Sequence, residues 1–178
     1  MKKILLMVVV AMMATVSANA QQEWKNEISI AYGRGSNTDV LTSIFKGMFT
    51  GEQLDYWGPV SIEYFRRVDS SNRFGIGAIA AIGGCKWDDE TDAKATYYTF
   101  MPSVKYNWLN KSHFSMYSKA AFGITYSSNS GSKKSDSGAN VNWQASFIGM
   151  EFGSAFRGFV ELGTGEQGII MAGLRYKF

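Results

Sequence analysis

Apolar and polar residues alternate with a period of two along most of this chain. The alternation recurs in eight segments, roughly 26–35, 58–67, 73–84, 95–108, 113–126, 141–153, 156–164 and 168–178. A period of two sends successive side chains to opposite faces of a strand. After residue 20 only "VLTSIFKGMF" at 40–49 offers a candidate helical period. The connections differ in length in an ordered way. Those at 36–57, 85–94 and 127–140 are long, and those at 68–72, 109–112 and 154–155 are short. The last connection, "GTGEQG" at 163–168, has the G-x-G-x-x-G spacing of a dinucleotide-binding turn. That fingerprint needs a following helix and a second strand with a ribose-binding acid. The residues that follow, "IIMAGLRYKF", alternate instead. The glycines are read as a tight hairpin loop.

Eight alternating segments with long and short connections in turn predict one architecture. It is all-β: an eight-stranded antiparallel up-and-down transmembrane β-barrel, with short turns at one end and longer loops at the other. One parity is uncharged and apolar. It runs through Ile28, Ile30, Tyr32, Val60, Ile62, Tyr64, Phe74, Ile76, Tyr98, Phe100, Val104, Tyr106, Phe122, Ile124, Val160, Leu162, Ile170, Leu174, Tyr176 and Phe178. The other parity holds Glu63, Lys105, Lys119, Arg157, Glu161, Arg175 and Lys177 among small residues. A soluble lipocalin-like barrel would put the apolar parity inside. The polar parity is too thin for that: in "GIGAIAAIGG" it offers Gly75, Gly77, Ile79, Ala81 and Gly83. Small residues suit a crowded lumen instead. Aromatics of the apolar parity gather near strand ends, as do Trp24, Trp57, Trp87 and Trp108, which fits interfacial girdles. Two points disturb the regularity. Pro102 stands in mid-strand, where it removes a ladder bond. "WQASFIGMEF" changes phase, which places a bulge near Phe147–Ile148.

Composition adds a targeting signal and removes some functions. Lys2 and Lys3 precede an uncharged apolar run from Ile4 to Val16, and "SANA" ends in an A-x-A site at Ala18 and Ala20. This reads as a cleaved secretory signal over 1–20, leaving a barrel domain over 21–178. No cysteine sits at the cleavage point, so no lipoprotein anchor is expected. The formal charge is +3, and subtracting Lys2 and Lys3 leaves +1, too little to call for nucleic acid. The single cysteine, Cys85, cannot form an internal disulfide.

The candidate chemistry lies on the polar parity. Glu63, Lys105, Lys119, Glu161 and Arg175 should point into the lumen, and Glu151 joins them in one phase of the sixth strand. An eight-stranded lumen is just filled by side chains. A charge there needs a partner, because unpaired burial costs several kcal/mol. An ion-pair network is therefore expected. The lone histidine, His113, stands beside Ser112 and Ser115 but at the end opposite the long loops. No catalytic set, cofactor or metal site is read. "WDDETD" at 87–92 gathers carboxylates without EF-hand spacing. "SNSGSKKSDSG" has a loop composition, with Lys133 and Lys134 available to phosphates.

The segments "FRGFVELGTGEQGIIMAGLRYKF", "MPSVKYNW" and "IGMEFG" resemble the small outer-membrane β-barrel proteins common in Bacteroidetes. These are similar in architecture to the OmpX and OmpA barrels. The resemblance implies the outer membrane of a Gram-negative bacterium and contact with outer-membrane lipid and lipopolysaccharide. It implies that Tyr176 and Phe178, ending the last strand, form the signal read by the barrel-assembly machinery. It implies no specific activity. The reading is a non-enzymatic membrane barrel with a structural or surface-interaction role carried by its long loops. A small channel, a lipid-modifying enzyme and a soluble ligand-binding barrel stay open as alternatives.

Overall fold

The computed structural model describes residues 24–37, 55–86, 94–130 and 137–178. The expected signal segment, "VLTSIFKGMF", "WDDETD", Lys133 and Lys134 lie outside these residues. Eight strands appear in chain order: β1 (Asn26–Arg34), β2 (Asp55–Arg67), β3 (Phe74–Lys86), β4 (Lys94–Asn110), β5 (Phe114–Ser130), β6 (Ser137–Gly153), β7 (Phe156–Gly165) and β8 (Ile170–Lys177). Each pairs antiparallel with its neighbour, and β8 returns to β1 to close the barrel. Closure removes the free edges that an open sheet would leave unpaired. The backbone of Phe178 completes it, exchanging two 2.9 Å bonds with Asn26.

The parity read from the sequence is the parity of the structure. The apolar set faces outward: Phe100 and Phe122 are 61% and 63% exposed. The charged set faces inward: Glu63, Lys105 and Arg175 are 0% exposed. A barrel with the apolar parity inside is therefore ruled out.

Both irregular places resolve. β6 carries an extra residue against both neighbours at Phe147–Ile148, and the two consecutive side chains both face outward. The bulge resets β6 so that Glu151 points inward. Pro102 marks no bulge and no rim. It faces outward in mid-strand, and the β4–β5 register is the same on either side of it. Around it, pairing lapses at Met101 and Pro102, as expected where the ladder lacks an N–H, and the one register shift of β4 against β5 lies further on, between Asn107 and Leu109.

The strand bounds differ from the expectation at the end that carries the long connections. β4, β5 and β6 are 17 residues each. Much of the span expected as a loop at 127–140 is paired strand, out to Ser128↔Ser137. The span at 85–94 is likewise entered by Cys85↔Ala95 and Lys86↔Lys94. The serines, asparagines and glycines of 127–140 are polar on both parities, so no alternation betrays the strand. Strands of 9–11 residues suffice to cross a bilayer, so these three project well beyond one face.

The opposite end, called here the near end, carries the tight connections 68–73, 111–113 and 154–155. Asp69 organises the first. Its carboxylate accepts the N–H groups of Arg73 (3.0 Å) and Phe74 (2.7 Å) and the hydroxyl of Ser71. The slight desolvation of this exposed group is outweighed by those donors, which hold the carboxyl down at about 2. A depressed carboxyl stabilises the fold above its ordinary range, and that contribution is lost as pH falls toward 2. Between about pH 4 and pH 2 the thermal midpoint of the protein in detergent should therefore fall more steeply than that of Asp69→Asn. Parallel curves would show that the turn does not depend on the carboxylate.

Candidate functional site in the barrel lumen

Alternation delivers one inward residue in two from each strand, and these converge on the barrel axis. Several like charges meet directly across the ladder. Lys105 pairs with Lys119 between β4 and β5, and Arg157 with Arg175 between β7 and β8. Such pairs repel on their own. The carboxylates of other strands draw them apart.

Arg175 stands at the centre. Its Nη2 donates to Glu63 Oε2 at 2.8 Å, and its Nη1 donates to Glu151. Its Cζ lies 4.3 Å from the Phe159 ring centroid and 5.0 Å from that of Tyr117, so two π-systems meet the guanidinium. Lys119 Nζ bridges Glu63 (2.5 Å) and Glu161 (2.8 Å). Lys105 Nζ turns the other way, to Glu27 (2.6 Å) and Glu151 (2.5 Å), and sits 3.8 Å from the Tyr117 ring centroid. Arg67 Nη2 holds Glu27 at 2.7 Å and Lys177 Nζ holds Glu151 at 2.6 Å, which closes the near end. Arg157 ties two turns together. It donates to the carbonyls of Ser112 and Ser154 (2.8 Å each) and to Ser115 Oγ (2.7 Å).

Space for this network comes from small partners. Tyr117 donates its hydroxyl to Glu161, and its ring fills the place where Gly149 lacks a side chain. A Cβ on Gly149 would stand 2.4 Å from Tyr117 Cζ. At the far end the "GTGEQG" loop folds inward. Gly165 and Gly168 adopt φ of 134° and 112°, conformations that favour glycine. The turn aims Gln167 down the axis, where Nε2 reaches Ser61 Oγ (2.8 Å) and Glu63 Oε1 (2.9 Å). Gln144 Oε1 accepts the Gln167 N–H at 2.7 Å, and Asn142 Nδ2 donates to Glu166 at 2.7 Å. A far-end cavity lined by Ser36, Pro59, Ala81, Gly83, Tyr97, Thr99 and Glu166 measures only about 10 Å³, room for about one water.

All six residues expected in the lumen, Glu63, Lys105, Lys119, Glu151, Glu161 and Arg175, lie there and share one network. The sequence reading missed Glu27 and Arg67, although both lie on the charged parity of their strands. It also missed Tyr117, Gln144 and Gln167 as polar members. His113 is exposed at the near end, with Ser112 Oγ 3.0 Å from Nδ1. No carboxylate bonds to that pair among the described residues, so nothing orients it as a base. Glu63 and Glu161 are both held by Lys119 and fully buried. Tyr176 and Phe178 stack at 5.8 Å on the outer surface where the barrel closes. The chemistry available to the lumen is ion pairing, which favours the inward parity of each strand that carries a charge.

No family model matches the chain. No curated protein matches it. Its fold matches solved small outer-membrane barrels. Ail, the attachment invasion locus protein of Yersinia pestis, is 16% identical over 88% of this chain and 100% of its own, with a TM-score of 0.50. Ail in complex with the heparin analogue sucrose octasulfate gives 0.52 at 16% identity and the same coverage. The N-terminal β-barrel domain of Pseudomonas aeruginosa OprF gives 0.50 at 13% identity, again over 88% and 100%. The chain thus has the architecture of an eight-stranded outer-membrane-type barrel.

Removing one member of a buried ionic network leaves its partners short of compensation, at a cost of about 3 kcal/mol. Arg175→Met should lower the stability measured by urea unfolding in lipid vesicles by that amount. Adding Glu63→Gln should recover part of the loss. A loss below about 1 kcal/mol would mean that water, not Arg175, neutralises the lumen.

Proposed function

We propose that the chain is exported through a cleaved signal peptide (1–20) and that residues 21–178 form an integral outer-membrane barrel. One observation carries this reading: a closed barrel whose outer wall is apolar while its interior holds the charges. Water would solvate the reverse arrangement. Aromatic side chains mark both ends of the outer wall. Tyr64, Tyr106 and Tyr176 stand toward the near end, and Tyr32, Tyr98 and Tyr126 toward the other. Such rings favour headgroup level. Tight turns and both strand termini then face the periplasm, and the projecting ends of β4–β6 face outward.

The buried charges of the lumen are paired and packed around Arg175, and the far-end cavity among the described residues measures only about 10 Å³. The role supported best is structural or interactional, exercised by the outer loops in contact with lipopolysaccharide or a surface partner. Ail, a barrel of this architecture, has been solved with a heparin analogue, which supports reading such barrels as ligand-presenting surfaces. Tyr176 and Phe178 would be read by the barrel-assembly machinery during insertion. No nucleic acid, metal or cofactor enters this reading.

Cell fractionation with gel electrophoresis of boiled and unboiled samples tests it. The protein should sit in the outer-membrane fraction and migrate faster unboiled. Recovery in the soluble fraction, with boiling making no difference, would overturn it. In planar bilayers the intact protein should show no steady conductance, and an open ohmic current would replace the structural role with a channel.

A further inference from the structure

The outer wall of β2–β5 is not uniform. Ala78 faces outward opposite Pro102, and Ala120 faces outward opposite Val104. Ala120, with Gly77 and Pro102, lines a depression between Tyr64, Ile76, Val104 and Phe122. The groove measures about 880 Å³, within the range of ligand-sized clefts. A second stretch of about 670 Å³ shares Pro102 and Phe122 with it and continues past Phe100 and Ile124 toward the far end. The first groove has a single charged lining residue, Arg66. Arg66 is exposed on the outer face, paired with Asn26 and Ile76, next to the near-end turn 68–73. Every other outward position of the described part of β2 from Trp57 to Tyr64 is uncharged. Arginine on a lipid-facing wall costs about 2–4 kcal/mol at the midplane and about 0–1 near the interface, so its place at the strand end is informative.

We propose that this groove is a binding site for one inner-leaflet phospholipid, its acyl chain lying along Ile76, Pro102, Val104 and Ala120 and its phosphate held by Arg66. The inference rests on the membrane reading above. The stem of an arginine lies on apolar wall while its fork reaches the headgroup layer. That fork matches two phosphate oxygens at once. The end of the barrel decides the leaflet. Arg66 is at the end with the tight turns, away from the projecting strands, so lipopolysaccharide of the outer leaflet does not reach it. Charge decides against a second copy of the chain. The groove holds no carboxylate, so a two-fold contact would bring one Arg66 toward another without a counter-ion.

Native mass spectrometry of the detergent-purified protein tests this, with phosphatidylethanolamine as probe and diacylglycerol, which lacks the phosphate, as control. The intact chain should retain one phosphatidylethanolamine and no diacylglycerol. Arg66→Gln should weaken retention about fivefold, the worth of one cation at a membrane surface. Ala120→Phe, which fills the groove and leaves the cation, should weaken it as well. Both substitutions lie on the outer wall, and the faster migration of unboiled samples checks that each variant is folded. Equal retention by the intact chain and both folded variants would overturn the proposal. So would retention of lipopolysaccharide in place of phospholipid, or a dimer that Ala120→Phe abolishes. An intact chain that is soluble and shows no gel shift would sink the membrane reading itself. A chain that is membrane-bound and gel-shifted, yet indifferent to Arg66→Gln, would sink only the lipid site.

Discussion

Charge cannot be left unpaired inside a closed barrel, and this constraint sets most of what the structure does. Glu27, Glu63, Glu151 and Glu161 come from four different strands, and their partners Arg67, Lys105, Lys119, Arg175 and Lys177 from three others and from β2 itself. Some pairs join neighbouring strands, as Glu27 on β1 does with Arg67 on β2, but Glu63 and Glu161 both meet Lys119 and Glu151 meets Lys105 across the lumen. Those cross-lumen contacts exist only in the closed barrel. A one-residue slip of any strand that carries an inward charge would turn that charge to the outer wall and an apolar side chain into the lumen. The network is therefore weak evidence for net stability and stronger evidence for specificity of register.

Two features serve the same constraint from the backbone side. The bulge at Phe147–Ile148 costs a local break in the ladder, yet without it Glu151 would face out and Arg175, Lys105 and Lys177 would lose a shared acceptor. The glycine loop between β7 and β8 contributes from above. Its two positive-φ glycines turn Gln167 into the lumen, where it satisfies Glu63 from a direction no strand supplies. A sequence that looks like a phosphate cradle is instead a lid on an ionic network.

The barrel was legible in the sequence because a half-polar sheet writes a period of two. Ile28 against Glu63 or Phe122 against Lys119 needs no structure to be sorted. Glu27 and Arg67 were harder, since each sits at a strand end beside other charges, Lys25 and Arg66, where either parity looks plausible. The far halves of β5 and β6 were illegible for a related reason. Their serines, asparagines and glycines are polar on both faces, so pairing there follows from propagation of the ladder. Gln167 was out of reach, because a side chain aimed by two glycines leaves no periodic trace. Pro102 was legible as a defect but not as a neutral one, since its ring points to the outer wall and the register survives.

The central claim is that the apolar parity faces lipid on all sides of the barrel. Spin labels on outward positions of four strands, at Ile30→Cys, Ile62→Cys, Phe100→Cys and Ala172→Cys, test it directly in reconstituted vesicles. Oxygen partitions into the bilayer, whereas a polar nickel chelate stays in water. Relaxation by oxygen should exceed relaxation by the chelate at all four sites. Strong relaxation by the chelate there would place water against the apolar parity and contradict the account.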